Sequence, residues 1–100
     1  MSRNGQPSIR NEVGLAALQA RLATARGEFV RAREVLSQAL ETYPQEEYLW
    51  ILLSYALLKE GRDWAEAERV LLKILELEPT NAEAKQNLEV LRNNRQRGYS

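Results

Sequence analysis

The chain has 100 residues, enough for one domain with a modest core, and 28% of them are charged with a formal net charge of zero. This balance lacks the basic excess that nucleic-acid binding usually requires, so we expect no nucleic-acid partner. Because the sequence has no cysteine and no histidine, disulfides, thiolate nucleophiles and histidine metal ligands are excluded.

Both ends of the chain are polar. Residues 1–7 (MSRNGQP) are interpreted as a disordered lead and residues 94–100 as a polar tail, which leaves one domain over residues 8–93. No apolar segment follows the lead as it would in a signal peptide, and no apolar run reaches the ~20 residues that span a bilayer. We therefore expect a cytoplasmic protein that does not engage a membrane.

The first predicted helix runs from about Ser8, a suitable N-cap, to Arg26. Four apolar positions recur at helical spacing: Leu15, Leu18, Leu22 and Ala25. Four small residues would let a neighbouring helix approach closely: Ala16, Ala17, Ala20 and Ala23. Gly27 is the predicted stop, because glycine adopts the left-handed conformation that ends helices.

The second predicted helix covers about Glu28–Thr42 and has a nearly ideal amphipathic pattern. Its apolar stripe consists of Phe29, Ala32, Val35, Leu36, Ala39, Leu40 and Tyr43. Pro44 is the predicted stop, because proline disfavours helical geometry in the residue before it.

The third predicted helix, Glu46–Gly61 (EEYLWILLSYALLKEG), is the most apolar part of the chain. Of the eleven residues 48–58, only Ser54 is neither apolar nor aromatic. A helix that is apolar nearly all round is buried on more than one side. This segment is therefore predicted to be the central helix of a small helical stack.

Two further helices are predicted after Gly61. The fourth covers about Asp63–Glu78, with Asp63 as its cap and Pro79 beyond its end. Its inward side comprises Trp64, Ala67, Val70, Leu71, Ile74, Leu75 and Leu77. The fifth covers about Asn81–Asn93, opens with a capping-box pattern over residues 80–83, and has a thin apolar stripe, as expected at the end of a stack. That stripe is Ala84, Leu88 and Leu91, with Val90 adjacent.

The second and fourth helices belong to two similar blocks, RGEFVRAREVLSQALETYP and GRDWAEAERVLLKILELEP, whose final prolines lie 35 residues apart. Two such blocks in tandem indicate a helical repeat with a period near 34. Over roughly Val13–Asn93 the chain resembles the tetratricopeptide repeat family in its small residues Ala32 and Ala67, its terminal prolines, and Trp50. The resemblance implies an all-α superhelix of stacked antiparallel hairpins with five helices. Repeat one covers about residues 11–44, repeat two about 46–79, and a capping helix 81–93.

The same resemblance implies a concave groove lined by the first helix of each repeat. Carried over to this sequence, the candidate partner-binding residues are Arg21, Tyr48, Ile51, Tyr55, Lys59, Gln86 and Val90. Aromatic side chains with arginine and lysine nearby suit an extended peptide or a partner's carboxylates. The expected function is a protein–protein interaction scaffold that binds a peptide or partner helix, with no enzymatic activity, cofactor or metal.

Several alternatives remain open from the sequence. A groove exposing Ile51, Tyr55 and Leu58 could instead form a homodimer, or Ile51 and Tyr55 could belong to the core. Such repeats are also appended to catalytic domains such as glycosyltransferases, so the chain could be a regulatory fragment of a larger enzyme. Catalysis within the chain is disfavoured, because Ser54 lies in the buried helix and the Asp63–Glu66 carboxylates fit a solvated helix face.

Overall fold

The computed structural model describes residues 9–94, which form five helices and no strand. The helices are α1 (Ile9–Ala25), α2 (Phe29–Thr42), α3 (Glu47–Glu60), α4 (Trp64–Leu77) and α5 (Ala82–Asn94). Each helix packs against the next in the chain, and α1 also packs against α3. This arrangement confirms the predicted all-α stack of hairpins. The predicted lead, the cap at Ser8 and the tail beyond Asn94 lie outside the described residues.

One glycine ends the first helix of each hairpin, as predicted. Gly27 has φ 79° and Gly61 has φ 70°, both in the left-handed region that side chains with a Cβ disfavour. After α1 the Gly27 amide donates to the Thr24 carbonyl at 3.0 Å and the Glu28 amide donates to the Ala23 carbonyl at 2.8 Å. This pair of bonds is the Schellman motif, which satisfies carbonyls left without partners at the helix end.

The remaining helix boundaries follow proline and capping residues. α2 ends before Pro44 and α4 before Pro79, as predicted. Asp63 caps α4 by accepting a hydrogen bond from the Glu66 amide at 3.1 Å. The cap of α5 differs from the prediction, because Asn81 rather than Thr80 accepts the bond, from the Ala84 amide at 2.9 Å.

The core is centred on α3, which packs against α1, α2 and α4. Seven of its residues are buried: Leu49, Trp50, Leu52, Leu53, Ser54, Ala56 and Leu57. Both polar groups in this set are satisfied, since Ser54 Oγ donates to the Ile51 carbonyl at 2.7 Å and Trp50 Nε1 donates to the Pro44 carbonyl at 2.8 Å. The prediction of a central buried helix is confirmed.

α1 buries its small residues and exposes its leucines. The buried side is Val13, Ala17, Ala20 and Ala23, and Ala23 meets Ala32 of α2 and Ala56 of α3 in a cluster of three alanines. The predicted close approach at the alanines is therefore confirmed. The leucine spacing identified a helix but not its buried side, because two different faces of α1 are apolar.

α4 and α5 bury the sides that their patterns predict. Ala67, Val70, Leu71 and Ile74 of α4 are buried, and so are Ala84, Leu88 and Leu91 of α5. Arg92 of α5 pairs with Glu68 of α4 at 3.0 Å on the rim of this contact. The fifth helix thus covers the apolar side of α4, as expected of a capping helix.

Candidate partner-binding groove

A groove of about 580 Å³ lies between α1 and α3. It is lined by Ala20, Arg21, Thr24, Ala25, Tyr48, Ile51, Leu52, Tyr55 and Lys59. Five of the seven candidate binding residues are in this set, and the structure brings them together from two helices that are far apart in sequence. The groove exists because α1 and α3 pack side by side, so that the first helices of the two repeats share one surface.

The aromatic part of the groove comes from α3. Tyr48 and Tyr55 are seven residues apart and therefore lie on one face of the helix, and they are 44% and 39% exposed. Ile51 lies between them, is half-buried and packs against the core. The two tyrosines therefore offer ring surface to a partner, whereas Ile51 contributes both to the groove and to the core.

The charged part of the groove is positive. Arg21 of α1 and Lys59 of α3 are both exposed, and no residue that lines the groove is acidic. Within residues 9–94 neither cation forms an ion pair with a carboxylate. An approaching partner therefore meets two exposed cationic side chains on the walls of the groove.

Tyr55 is also held from the α5 side of the groove. Its hydroxyl donates to Glu83 Oε1 at 2.9 Å. Burial raises the pKa of the Tyr55 hydroxyl above its usual value of 10.0, and the hydrogen bond to Glu83, the Glu83 charge and nearby Tyr48 act in the same direction. The hydroxyl stays protonated at neutral pH, so this side chain acts as a hydrogen-bond donor.

The two α5 candidates lie elsewhere. Gln86 and Val90 are exposed, and neither lines the groove. Three other α5 residues, Glu83, Ala84 and Asn87, border a narrow gap of about 10 Å³ beside Tyr55. Glu83 and Asn87 are four residues apart and so share one helix face, and Gln86 and Val90 lie on an adjacent face.

The other polar groups singled out from the sequence have structural roles. Ser54 is 1% exposed and its hydroxyl is bonded to the backbone of its own helix. Asp63 caps α4, and Glu66 pairs with Arg69 at 2.6 Å. Leu58 is half-buried against the core and does not line the groove, so Ile51, Tyr55 and Leu58 do not form one exposed patch.

Comparison with known proteins adds two findings, and the helices themselves add a third. A family model described as tetratricopeptide repeat matches residues 23–89, well over half of the chain. A search of curated proteins returns no match. Among the helices that the structure describes, none has the length and apolar character needed to cross a membrane.

Proposed function

Since the chain belongs to the tetratricopeptide repeat family, whose members generally mediate protein–protein interactions, we propose that the groove between α1 and α3 binds a segment of a partner protein. One observation carries this proposal. Two exposed tyrosines, Tyr48 and Tyr55, lie in a single groove with two exposed cations, Arg21 and Lys59.

The size and lining of the groove favour an extended peptide or one side of a helix. Its volume of about 580 Å³ is in the range of clefts that enclose a small ligand, so it accommodates a few side chains rather than a whole domain. Tyrosine is enriched among the residues that dominate binding energies, because its ring offers a large rigid surface and its hydroxyl a polar contact. We expect the two tyrosines to contribute most of the affinity.

The charges of the groove favour an acidic segment. Arg21 and Lys59 lie on opposite helices, so a carboxylate in the groove can be approached by a cation from either side. Charged groups at the rim of an interface act mainly on the association rate and its dependence on salt. The proposed ligand therefore combines apolar or aromatic side chains with glutamate, aspartate or a chain-terminal carboxylate.

A peptide selection tests this function directly. Random peptides displayed on phage are selected on the folded chain, and the affinities of the selected sequences are measured by calorimetry. We expect the selected peptides to be acidic and their affinity to fall by about 10-fold or more for Tyr55→Ala. Lys59→Glu should also lower the affinity, with a larger effect at low salt. Circular dichroism of each variant monitors folding, because Tyr55→Ala also removes the bond to Glu83.

Two matched substitutions serve as controls outside the groove. Arg31→Glu makes the same kind of charge change as Lys59→Glu at an exposed position of α2, and Leu72→Ala truncates a side chain of α4 that is 44% exposed. Both controls should leave the affinity unchanged. Peptides that bind the groove variants as tightly as the wild type would contradict the proposed function.

A further inference from the structure

A carboxylate of α5 lies at the edge of the groove, next to Tyr55. The ring of Tyr55 lines the groove, and its hydroxyl donates to Glu83 Oε1 at 2.9 Å, which holds the Glu83 side chain in place. Glu83 is exposed, and a carboxylate can accept about four hydrogen bonds, so the bond from Tyr55 uses only part of this capacity. A ligand that covers the Tyr55 ring is therefore within reach of the Glu83 carboxylate.

The charges at the junction of α3 and α5 are negative. Among the described residues that border the gap beside Tyr55, Glu83 is the only charged one. Asn81 borders the same gap, and its side-chain nitrogen donates to Glu47 Oε2 at 3.2 Å, which holds a second carboxylate at this junction. Neither Glu47 nor Glu83 forms an ion pair with a lysine or arginine of residues 9–94. The α5 side of Tyr55 therefore favours cationic groups.

The opposite side of Tyr55 is positive. Arg21 of α1 and Lys59 of α3 line the groove together with the Tyr55 ring. Among the described helices, α1 packs against α3 and not against α5, so the Arg21 and Glu83 side chains approach Tyr55 from different sides. A segment that lies across the groove thus passes from a basic region at Arg21 and Lys59 to an acidic region at α5.

We propose that Glu83 is a specificity-determining residue of this surface, and that it selects partner segments with a polarised charge pattern. The preferred segment has acidic residues over Arg21 and Lys59 and a lysine or arginine next to Glu83. This inference rests on the proposed function, because it assigns the charge pattern of the segment that the groove binds.

The selection follows from the contacts that each kind of segment would make with Glu83. A lysine or arginine beside the carboxylate forms a charge-assisted hydrogen bond, which is stronger than a bond between neutral groups. A glutamate or aspartate at the same place meets a like charge, and specific interfaces commonly use such repulsion to exclude wrong partners. Glu83 therefore discriminates among acidic segments by excluding those that are acidic along their whole length.

Charge reversal at Glu83 tests this assignment. Random peptides displayed on phage are selected in parallel on the wild-type chain and on Glu83→Arg, and their affinities are measured by calorimetry. We expect wild-type peptides to have a lysine or arginine at a constant spacing from their acidic residues, and Glu83→Arg peptides to have a glutamate or aspartate there. Replacing that basic residue of a wild-type peptide by glutamate should weaken its binding to the wild type by about 10-fold or more, and Glu83→Arg should restore it.

Two further variants separate the charge of Glu83 from its other contributions. Glu83→Gln removes the charge but keeps an oxygen that can accept from Tyr55, so it should reduce the preference for a basic residue without reversing it. Glu89→Arg makes the same charge reversal at another exposed residue of α5, roughly 120° around the helix from Glu83, and should select the same peptides as the wild type. Circular dichroism monitors folding, and Glu83→Gln provides the test if Glu83→Arg does not fold.

The outcomes distinguish the role of Glu83 from the proposed function. Peptides that are weakened by Tyr55→Ala and Lys59→Glu, but whose charge pattern is the same on the wild type and on the Glu83 variants, would overturn the role of Glu83 and leave the groove as the binding site. The same conclusion follows if Glu89→Arg changes the charge pattern as much as Glu83→Arg. Peptides that ignore Tyr55→Ala and Lys59→Glu, or a selection that yields no peptide, would overturn the proposed function and the role of Glu83 together.

Discussion

At the scale of single residues, Tyr55 joins two parts of the structure. Its ring lines the groove between α1 and α3, and its hydroxyl donates to Glu83 Oε1 on α5 at 2.9 Å. A partner in the groove would therefore contact a side chain that is anchored to the capping helix. Such anchoring reduces the rotamer freedom that the tyrosine loses when a partner binds.

The raised pKa of Tyr55 predicts a loss of stability at high pH. Below the usual value of 10.0 the hydroxyl is protonated in both the folded and the unfolded chain, and its full contribution is present. As the pH rises above that value, the unfolded chain loses its proton first, so the free energy of unfolding falls. We expect thermal melts between pH 8 and about 11 to show a smaller alkaline loss for Tyr55→Phe than for wild type.

A second tyrosine, Tyr43, also contributes to the alkaline loss of stability and serves as the comparison. The pKa of Tyr43 is also raised, mainly by its hydrogen bond to Glu12, so Tyr55→Phe should retain part of the alkaline loss. The substitution Tyr43→Phe should remove another part. Identical melting curves for wild type and Tyr55→Phe across the alkaline range would contradict the role assigned to the Tyr55 hydroxyl.

At the scale of helices, the start of α5 gives a prediction that separates two adjacent residues. Asn81 caps the helix through the Ala84 amide, and its side-chain nitrogen also donates to Glu47 Oε2 at 3.2 Å. Asn81→Ala should lower the free energy of unfolding by about 1–2 kcal/mol, as measured by urea denaturation. Thr80→Ala should have a clearly smaller effect. Equal losses of stability for the two variants would contradict the assignment of Asn81 as the cap.

The central helix gives a larger predicted effect. Leu53 is 4% exposed, and Leu53→Ala leaves a cavity in the middle of the core. We expect a loss of about 2–5 kcal/mol, which is a large part of the about 5–15 kcal/mol that stabilises a typical domain. Leu72→Ala, at a position 44% exposed, should cost about 0.5 kcal/mol or less, since alanine and leucine are both good helix formers. Similar urea midpoints for the two variants would contradict the burial of α3.

Helix boundaries were predictable from sequence because they depend on local chemistry. Gly27 and Gly61 take the left-handed conformation, and Pro44 and Pro79 cannot continue a helix. The face that a helix buries depends instead on its neighbours. In α1 both the alanines and the leucines have helical spacing, and only the packing of α2 and α3 against the alanines decides which set is buried.

The part of the groove formed by α1 and α3 was predictable, because equivalent positions of the two repeats form it. Positions on α1 and α3 are related by a shift near 34 residues, so the placement of Arg21 beside Tyr55 follows from the repeat itself. The rotation of α5 depends on the turn after Pro79 and on the cap at Asn81. Spacing alone selects Gln86 and Val90 on α5, whereas the α5 side chains beside Tyr55 include Glu83 and Asn87.

At the scale of the whole molecule, contacts link neighbouring helices. Arg33 of α2 pairs with Glu60 of α3, and Arg92 of α5 pairs with Glu68 of α4. In such a stack the stability is close to a sum of the individual hairpins and of the interfaces between neighbours. The two ends then differ: α5 closes one with a polar outer surface, and α1 leaves Leu15, Leu18 and Leu22 exposed at the other.

The capping helix is therefore expected to be essential to the fold of this short array. A chain that stops at residue 79 loses α5, exposing the side of α4 that contains Leu71 and Ile74, each 1% exposed in the intact chain. Leu88 and Leu91 of α5 are nearly fully buried, and two such leucines contribute on the order of 3–6 kcal/mol. This is comparable to the whole stability of a small domain, so we expect the truncated chain to lose its cooperative urea transition and most of its helical circular dichroism signal.

The matched control stops at Asn94 and keeps all five helices, and its urea midpoint should equal that of the full chain. If the chain ending at residue 79 unfolded at the same urea concentration as the control, the interface between α4 and α5 would contribute nothing to stability, contrary to its buried leucines.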